Sequence, residues 1–285
     1  MPALFGPAGN SESFKARGHK HLHEVPDYLL SFGLDCFEYQ CGRGVKISEE
    51  KAKAFGELAK EKGIRLSIHA PYYISLSSVE EEKRDNSIRY LVDSAKAAKA
   101  MGATRIIAHA GSCGKITREH ALELAKDTLS RALVTLDELG LGEITVCPET
   151  MGKVNQLGNL EEVLELCSLD ERLVPCIDFG HLNARTFGEI ATQQDYVAIL
   201  DAIQNKLGND RAKRFHSHFS KIEYTLKGGE KAHLTFEDQT FGPEFEPLAE
   251  LIAQRDLSPT FICESAGTQA EDASSMKQMY QKYLK

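Results

Sequence analysis

The stretch Leu173-Val174-Pro175-Cys176-Ile177-Asp178-Phe179-Gly180-His181 reads as a short buried strand that ends in a carboxylate, followed by a glycine turn and an imidazole. Leu173 to Ile177 is apolar and β-prone, as in a strand covered on both faces. An ionised Asp at the end of such a strand is costly to desolvate unless it is paired or bound to a cation. Gly180 permits a sharp turn, so Asp178 and His181 can converge on one ion. Taken alone, the same residues also suit a capping Asp and an ordinary loop His. Recurrence decides between the two: a strand followed by a ligand-type residue repeats along the chain.

Working outward, β-like runs occur at Ala3–Phe5, Cys36–Tyr39, Arg65–His69, Arg105–His109, Glu143–Cys147, Val174–Asp178, Arg214–His218 and Thr260–Glu264. Amphipathic segments lie between them. Ser48 to Lys62 opens with Ser-Glu-Glu and stops at Gly63, while Asn86 to Met101 stops at Gly102 and Thr117 to Leu139 at Gly140. Leu160–Cys167, Asp195–Leu207, Glu246–Arg255 and a segment from Glu271 complete the set. Strand then helix, eight times over, predicts an α/β fold of the TIM (β/α)8 barrel type, with an open doubly wound sheet as the runner-up. No linker or composition shift divides the chain, so residues 1–285 are expected to form a single domain. The longest irregular stretch is Ser220 to Pro243, a length usual for functional or mobile loops.

Hydrophobic residues make up 42% of the 285, enough for a sizeable core. No apolar run approaches the roughly 18 residues that span a bilayer, and no secretory signal is evident. Seven cysteines without a C-x-x-C pair suit reduced, buried thiols in a cytoplasmic protein. A net charge of −8 argues against holding nucleic acid by bulk positive charge alone. Bound divalent cations can reverse that sign locally.

Active sites of such barrels form at the C-terminal ends of the strands. Those ends carry His69, His109, Glu149, Asp178, His216 and Glu264, on six successive strands, with His181 and His233 just beyond. Cys147 and Cys176 each stand two residues before a carboxylate, placing a small filler below the ligand on the same strand face. Mixed imidazole and carboxylate donors suit zinc, manganese or iron better than magnesium or calcium. Several such donors around one cavity can hold two or three ions, with Glu149 bridging, as in phosphodiester hydrolysis.

Five segments carry a family resemblance that covers nearly the whole chain. They are Ser67-Ile68-His69-Ala70-Pro71-Tyr72-Tyr73-Ile74-Ser75-Leu76, Ile107-Ala108-His109-Ala110-Gly111-Ser112, Pro148-Glu149-Thr150-Met151-Gly152, Cys176-Ile177-Asp178-Phe179-Gly180-His181 and Ile262-Cys263-Glu264-Ser265. Together they resemble the endonuclease IV family, zinc-dependent apurinic/apyrimidinic endonucleases on a xylose isomerase-like TIM barrel. The resemblance implies hydrolysis of the phosphodiester 5′ to abasic sites in DNA, a step of base excision repair, with Glu149 and Glu264 central to catalysis. It implies one Zn2+ on His69, His109 and Glu149, and a second on Asp178, His216 and Glu264 with Glu149 bridging. His181 and His233 would help to hold a third; Mn2+ or Fe2+ are also suited. Tyr72 matches a residue that the family wedges into DNA at the lesion, and Arg43 a basic residue after the second strand. The expected partner is DNA containing abasic sites, with no membrane, and the protein is expected to be a monomer.

The chain departs from the family at three places. Lys231 stands where the family has an Asp two residues before His233, and Glu230 could serve instead only with a shifted backbone. The seventh strand reads His216-Ser217-His218-Phe219-Ser220 rather than His followed by Asn-Asp, so either His can be the ligand; His216 is favoured. Leu234-Thr235-Phe236-Glu237-Asp238 replaces a Gly-rich segment, and the chain has no Trp. Two rival readings follow. One is a single-metal sugar isomerase or epimerase of the same superfamily, which has no need of both His69 and His109. The other is a metal-bound DNA-binding scaffold without turnover. Arg43, Lys153 and Lys221 are candidate phosphate contacts, and His19, His21 and His23 are expected to form a solvated face.

Overall fold

The computed structural model describes residues 2–284. Eight parallel strands form one sheet: β1 (Leu4–Pro7), β2 (Cys36–Gln40), β3 (Arg65–His69), β4 (Arg105–His109), β5 (Thr145–Glu149), β6 (Cys176–Asp178), β7 (His216–Phe219) and β10 (Thr260–Cys263). Between β7 and β10 the chain adds an antiparallel hairpin of β8 (Lys221–Thr225) and β9 (Gly229–Leu234). The spatial order is β1-β10-β7-β6-β5-β4-β3-β2. Its two ends meet: Ala8 bridges Glu38 in parallel, and the Gly9 N–H donates to the Glu38 carbonyl at 3.0 Å. That contact closes the sheet into a TIM (β/α)8 barrel and rules out the open sheet.

The helices begin and end where local chemistry dictates. Ser48 accepts from the Lys51 N–H at the start of Glu49–Glu61, and Thr117 accepts from the His120 N–H at the start of Arg118–Glu138. Asn159 and Glu162 form a reciprocal capping box on Leu160–Cys167, worth about 1 kcal/mol for the cap alone. Gly102 ends Glu81–Met101 at φ +70°, a conformation that glycine adopts at little cost. Among the described residues no helix is long and apolar enough to cross a membrane. All seven cysteines are buried with free thiols.

Alternation along each strand sorts the side chains. Phe5, Phe37, Ile68, Val146 and Phe261 pack outward under the helices, where Phe5 stacks on Phe261 and Phe245 meets Phe219 and Phe261 edge-on. Glu38, Ser67, His69, Glu149, Asp178, His216 and His218 are also buried, but polar; they belong to the barrel interior and its mouth.

Several boundaries differ from the sequence expectation, each for a physical reason. β6 begins only at Cys176, because Pro175 has no N–H to give a ladder. β5 and β7 run two and one residues further than their patterns suggest. The stretch Ser220 to Pro243 is not irregular; most of it is the β8–β9 hairpin.

Candidate metal centre

At the C-terminal mouth Glu149 sits at the end of β5, fully buried, with three imidazoles within 3.3 Å and a fourth, His181, at 3.6 Å. His69 Nε2 lies 3.3 Å and His109 Nε2 3.2 Å from its Oε2, while His218 Nδ1 lies 2.9 Å from its Oε1. The carboxylate therefore faces His69 and His109 with one oxygen and His218 with the other. Asp178, Glu264 and His218 join Glu149 in a second group, whose donor atoms all lie within 4.8 Å of one another.

Asp178 ends β6, and the chain passes directly into the helix Phe179–Arg185. The expected glycine turn is therefore absent, and His181 rides on that helix. Gly180 is needed for a close approach instead: a Cβ there would lie 2.5 Å from the Ser220 carbonyl. Asp178 Oδ1 caps the helix by accepting from the His181 N–H at 2.7 Å. Its Oδ2 is buried without a hydrogen-bond partner. The capping and ligand readings thus coexist on one carboxylate.

The seventh strand sets its two histidines at different depths. His216 and His218 both point inward, as residues two apart must. Because β7 extends to Phe219, His218 is the inward residue nearest the mouth and His216 lies a level deeper. His218 meets Glu149 and, at 3.6 Å, Glu264; His216 turns its Nε2 to Glu38 at 3.0 Å instead.

The β8–β9 hairpin supplies a third group. Tyr224 pairs with Glu230 and Glu223 with Ala232, so Lys231 is the extra residue of a β-bulge. The bulge resets the alternation, and residues 230 and 233 share a face although three apart. His181, Glu230 and His233 gather with donor atoms within 4.8 Å of one another, while Lys231 points away to pair with Glu223 at 2.6 Å. This is the shifted backbone that a Glu230 contribution requires. Gly152 makes the room, since a Cβ there would lie 2.7 Å from the Glu230 Cβ and 2.9 Å from the His181 ring.

A family model for xylose isomerase-like TIM barrels matches residues 26–282. An uncharacterized protein of Methanocaldococcus jannaschii is 35% identical over 266 residues, 92% of this chain and 91% of the relative. The chain belongs to the xylose isomerase-like TIM barrel family. A probable endonuclease 4 of Mycoplasma pneumoniae is 29% identical over 198 residues, 67% of this chain and 64% of that relative's length. Two solved structures share the fold at lower identity. Endonuclease IV from Thermus thermophilus has a TM-score of 0.65 and 20% identity, covering 93% of this chain and 95% of its own. A D-tagatose 3-epimerase-like protein has a TM-score of 0.68 and 19% identity, covering 90% and 91%. The chain is thus similar to nuclease-named relatives and shares its fold with an epimerase-like protein.

On this xylose isomerase-like barrel the imidazoles are held in defined orientations. His69 Nδ1 contacts the Ala70 carbonyl at 2.8 Å, His181 Nδ1 the Thr150 carbonyl at 2.9 Å and His233 Nδ1 the Ser220 hydroxyl at 2.8 Å. Each pairing leaves the other ring nitrogen for the mouth. Burial alone would raise the Glu149 carboxyl, but the His218 charge and hydrogen bonds from His109, His218 and His69 hold it well below the usual range. Burial and the neighbouring charges of Glu264 and Glu149 push Asp178 up, against the pull of His181. His69 and His181 are drawn down by burial, yet the carboxylates beside them carry each up to about 9.

The residues fit divalent cations on two counts. Asp178 Oδ2 is buried and accepts no hydrogen bond; the one cationic group beside it among the described residues, His181 Nδ1 at 3.3 Å, is turned to the Thr150 carbonyl, and an acceptor left so costs about 1–3 kcal/mol unless a cation meets it. The donors around it are the imidazoles and carboxylates that zinc, manganese and iron share. Outside this cluster, Tyr72 is 56% exposed beside Tyr73 on the loop after β3, and Arg43 is exposed on the loop after β2. Lys153 is exposed near the hairpin. Lys221 is not a free phosphate contact: it is buried and donates to Glu244 at 2.5 Å and to the Asp238 carbonyl. His19 pairs with Glu24 and His21 stacks on His23, and none of the three histidines joins a metal-ligand grouping among the described residues. Glu38 was not singled out in the sequence. Its signal was a carboxylate at an inward position of an otherwise apolar strand.

Proposed function

We propose that this protein is a metal-dependent endonuclease that hydrolyses the phosphodiester 5′ to abasic sites in DNA. The observation that carries this reading is Glu149 between two sets of donors, His69 and His109 against one oxygen and His218 against the other. A shared carboxylate suits a centre of more than one cation. His69, His109 and Glu149 would hold one ion, and Asp178, His218 and Glu264 a second with Glu149 shared. His181, Glu230 and His233 would hold a third, and zinc is the first choice, with manganese or iron also suited. When bound, such ions polarise a phosphoryl oxygen and offset charge on the departing oxygen. Low-lying Glu149 stays ionised throughout, and Glu264 closes the cluster on the β10 side. Exposed Tyr72 would fill the gap where a base is missing, and exposed Arg43 would meet a phosphate. An abasic nucleotide has no base to unstack, which lowers the cost of turning it toward the mouth. The endonuclease name of the Mycoplasma relative supports the same reading. The test is incision of a duplex carrying one abasic analogue. Zinc- or manganese-loaded protein that leaves it uncut, beside an active control enzyme, rejects the proposal.

Two results are expected of the metals themselves. Glu230→Gln lowers by one the number of ions retained per chain after dialysis, measured by elemental analysis; an unchanged count removes Glu230 from the ligand set. Cation affinity rises with pH, because His69 and His181 titrate at about 9 and must shed a proton to bind. The gain is about tenfold per pH unit for each proton displaced, and calorimetry in buffers of different ionisation heat reads it.

A single-metal sugar epimerase is the second reading. The four donors of Glu149, Asp178, His218 and Glu264 favour it, since they are a complete set for one ion. Carboxylates on either side of a sugar carbon could move a proton between its faces. One ion per chain, with epimerisation of a ketose and no DNA cleavage, would select this reading.

A further inference from the structure

Glu38 lies on β2 beneath the metal centre, with no surface exposed to solvent. Its Oε2 faces His216 Nε2 at 3.0 Å and accepts from the Ser67 hydroxyl at 2.9 Å. Its Oε1 faces His218 Nε2 at 2.9 Å and accepts a longer hydrogen bond from the Gln40 amide at 3.4 Å. Among the imidazoles of the mouth, His69 and His233 rest their second nitrogen on a neutral carbonyl or hydroxyl, and His181 turns its own to the Thr150 carbonyl at 2.9 Å with Asp178 Oδ2 at 3.3 Å. His218 rests its own on a carboxylate. We infer that Glu38 is a positioning residue of the metal centre: by holding the Nε2–H of His218 it leaves the Nδ1 lone pair facing Glu149, Asp178 and Glu264.

Three features support this role. A charge-assisted hydrogen bond is stronger than a neutral one, so it selects one tautomer and one ring orientation. Because His216 and Ser67 fill Oε2, the carboxylate cannot turn without breaking both contacts. The negative charge beneath the ring also makes Nδ1 a better donor to a cation. His216 then has a defined task as the brace of Glu38, which explains why a second histidine lies one level below the mouth.

The inference rests on the metal-centre reading above and is independent of whether the substrate is DNA or sugar. Native and Glu38→Gln protein, stripped of metal, are titrated with Zn2+ by calorimetry and with Co2+ by absorption, and the melting of each metal-free form is recorded. Glu38→Gln is expected to stay folded, to lose about 10–100-fold in affinity for the ion held by His218, and to change the Co2+ spectrum. In parallel, ¹⁵N spectra of the histidines in native zinc-loaded protein are expected to show His218 with its proton on Nε2 and none on Nδ1. Equal affinities in the two proteins overturn the inference. So does a native His218 protonated at Nδ1, a result that stands even if the variant does not fold. Native protein that takes up no cation overturns the metal-centre reading itself, and with it the role of Glu38.

Discussion

Glu149→Gln is expected to lower abasic-site incision by on the order of 10³-fold, the scale on which removal of a single well-placed electrostatic group is felt. The substitution keeps the side chain's shape but removes its charge. In the native protein that carboxylate faces His69, His109 and His218 together. An amide presents one acceptor and one donor, so its NH2 must face at least one of these rings, and it cannot be shared between cations as a carboxylate can. Loss of incision should therefore be matched by loss of bound metal, read by elemental analysis of the same samples. Activity within tenfold of native would show that Glu149 is not the shared group, and would move the weight to the single-ion reading.

Asp178→Asn has two opposed effects. In metal-free protein it is expected to raise Tm by about 2–4 °C, corresponding to about 1 kcal/mol in a domain of this size. The reason is that Oδ2 accepts no hydrogen bond, and burial disfavours its ionised state by more than His181 Nδ1, 3.3 Å away, favours it. The sign follows from linkage. Asp178 titrates above its unfolded value, so its contribution to stability is complete below about pH 3.9 and falls as pH rises through its folded value. The gain from Asn is thus expected at pH 7 and absent in acid. The cap survives, since an amide oxygen can still accept from the His181 N–H. With cation present the order reverses: the variant binds at least about tenfold more weakly, and zinc stabilises native protein but not the variant. Thermal melts with and without Zn2+ read both effects. A variant less stable than native without metal would show that Asp178 is not strained by its burial.

Much of the centre could be read from residue order. His69, His109, Glu149 and Glu264 follow apolar strands, and strand period alone puts each at the mouth of a parallel barrel. The seventh strand was ambiguous because His216 and His218 differ by one full period and face the same way. Only the end of β7 separates them, and boundaries are set by ladder partners in neighbouring strands. Glu230 was hidden by Lys231: a strict alternation through Lys231-Ala232-His233 places Glu230 on the wrong face. The bulge that brings it round depends on the pairing of β9 with β8. Glu38 is illegible in the sequence for a related reason, since a lone carboxylate in a strand gains meaning only from what lies across the barrel. Its partners His216 and His218 are 178 and 180 residues away.

The sequence by itself therefore determined the barrel, the end at which its polar groups collect, and the kinds of donor found there, because periodicity, caps and turns are local properties of the chain. Tertiary structure decided which donors share a cation-sized space: Glu149 with His218, His181 with Glu230, and Glu38 behind both histidines of β7. Such groupings depend on strand register and on a single extra residue in a hairpin. Those are settled by the closure of the whole sheet, whose hydrogen-bond partners come from distant parts of the chain.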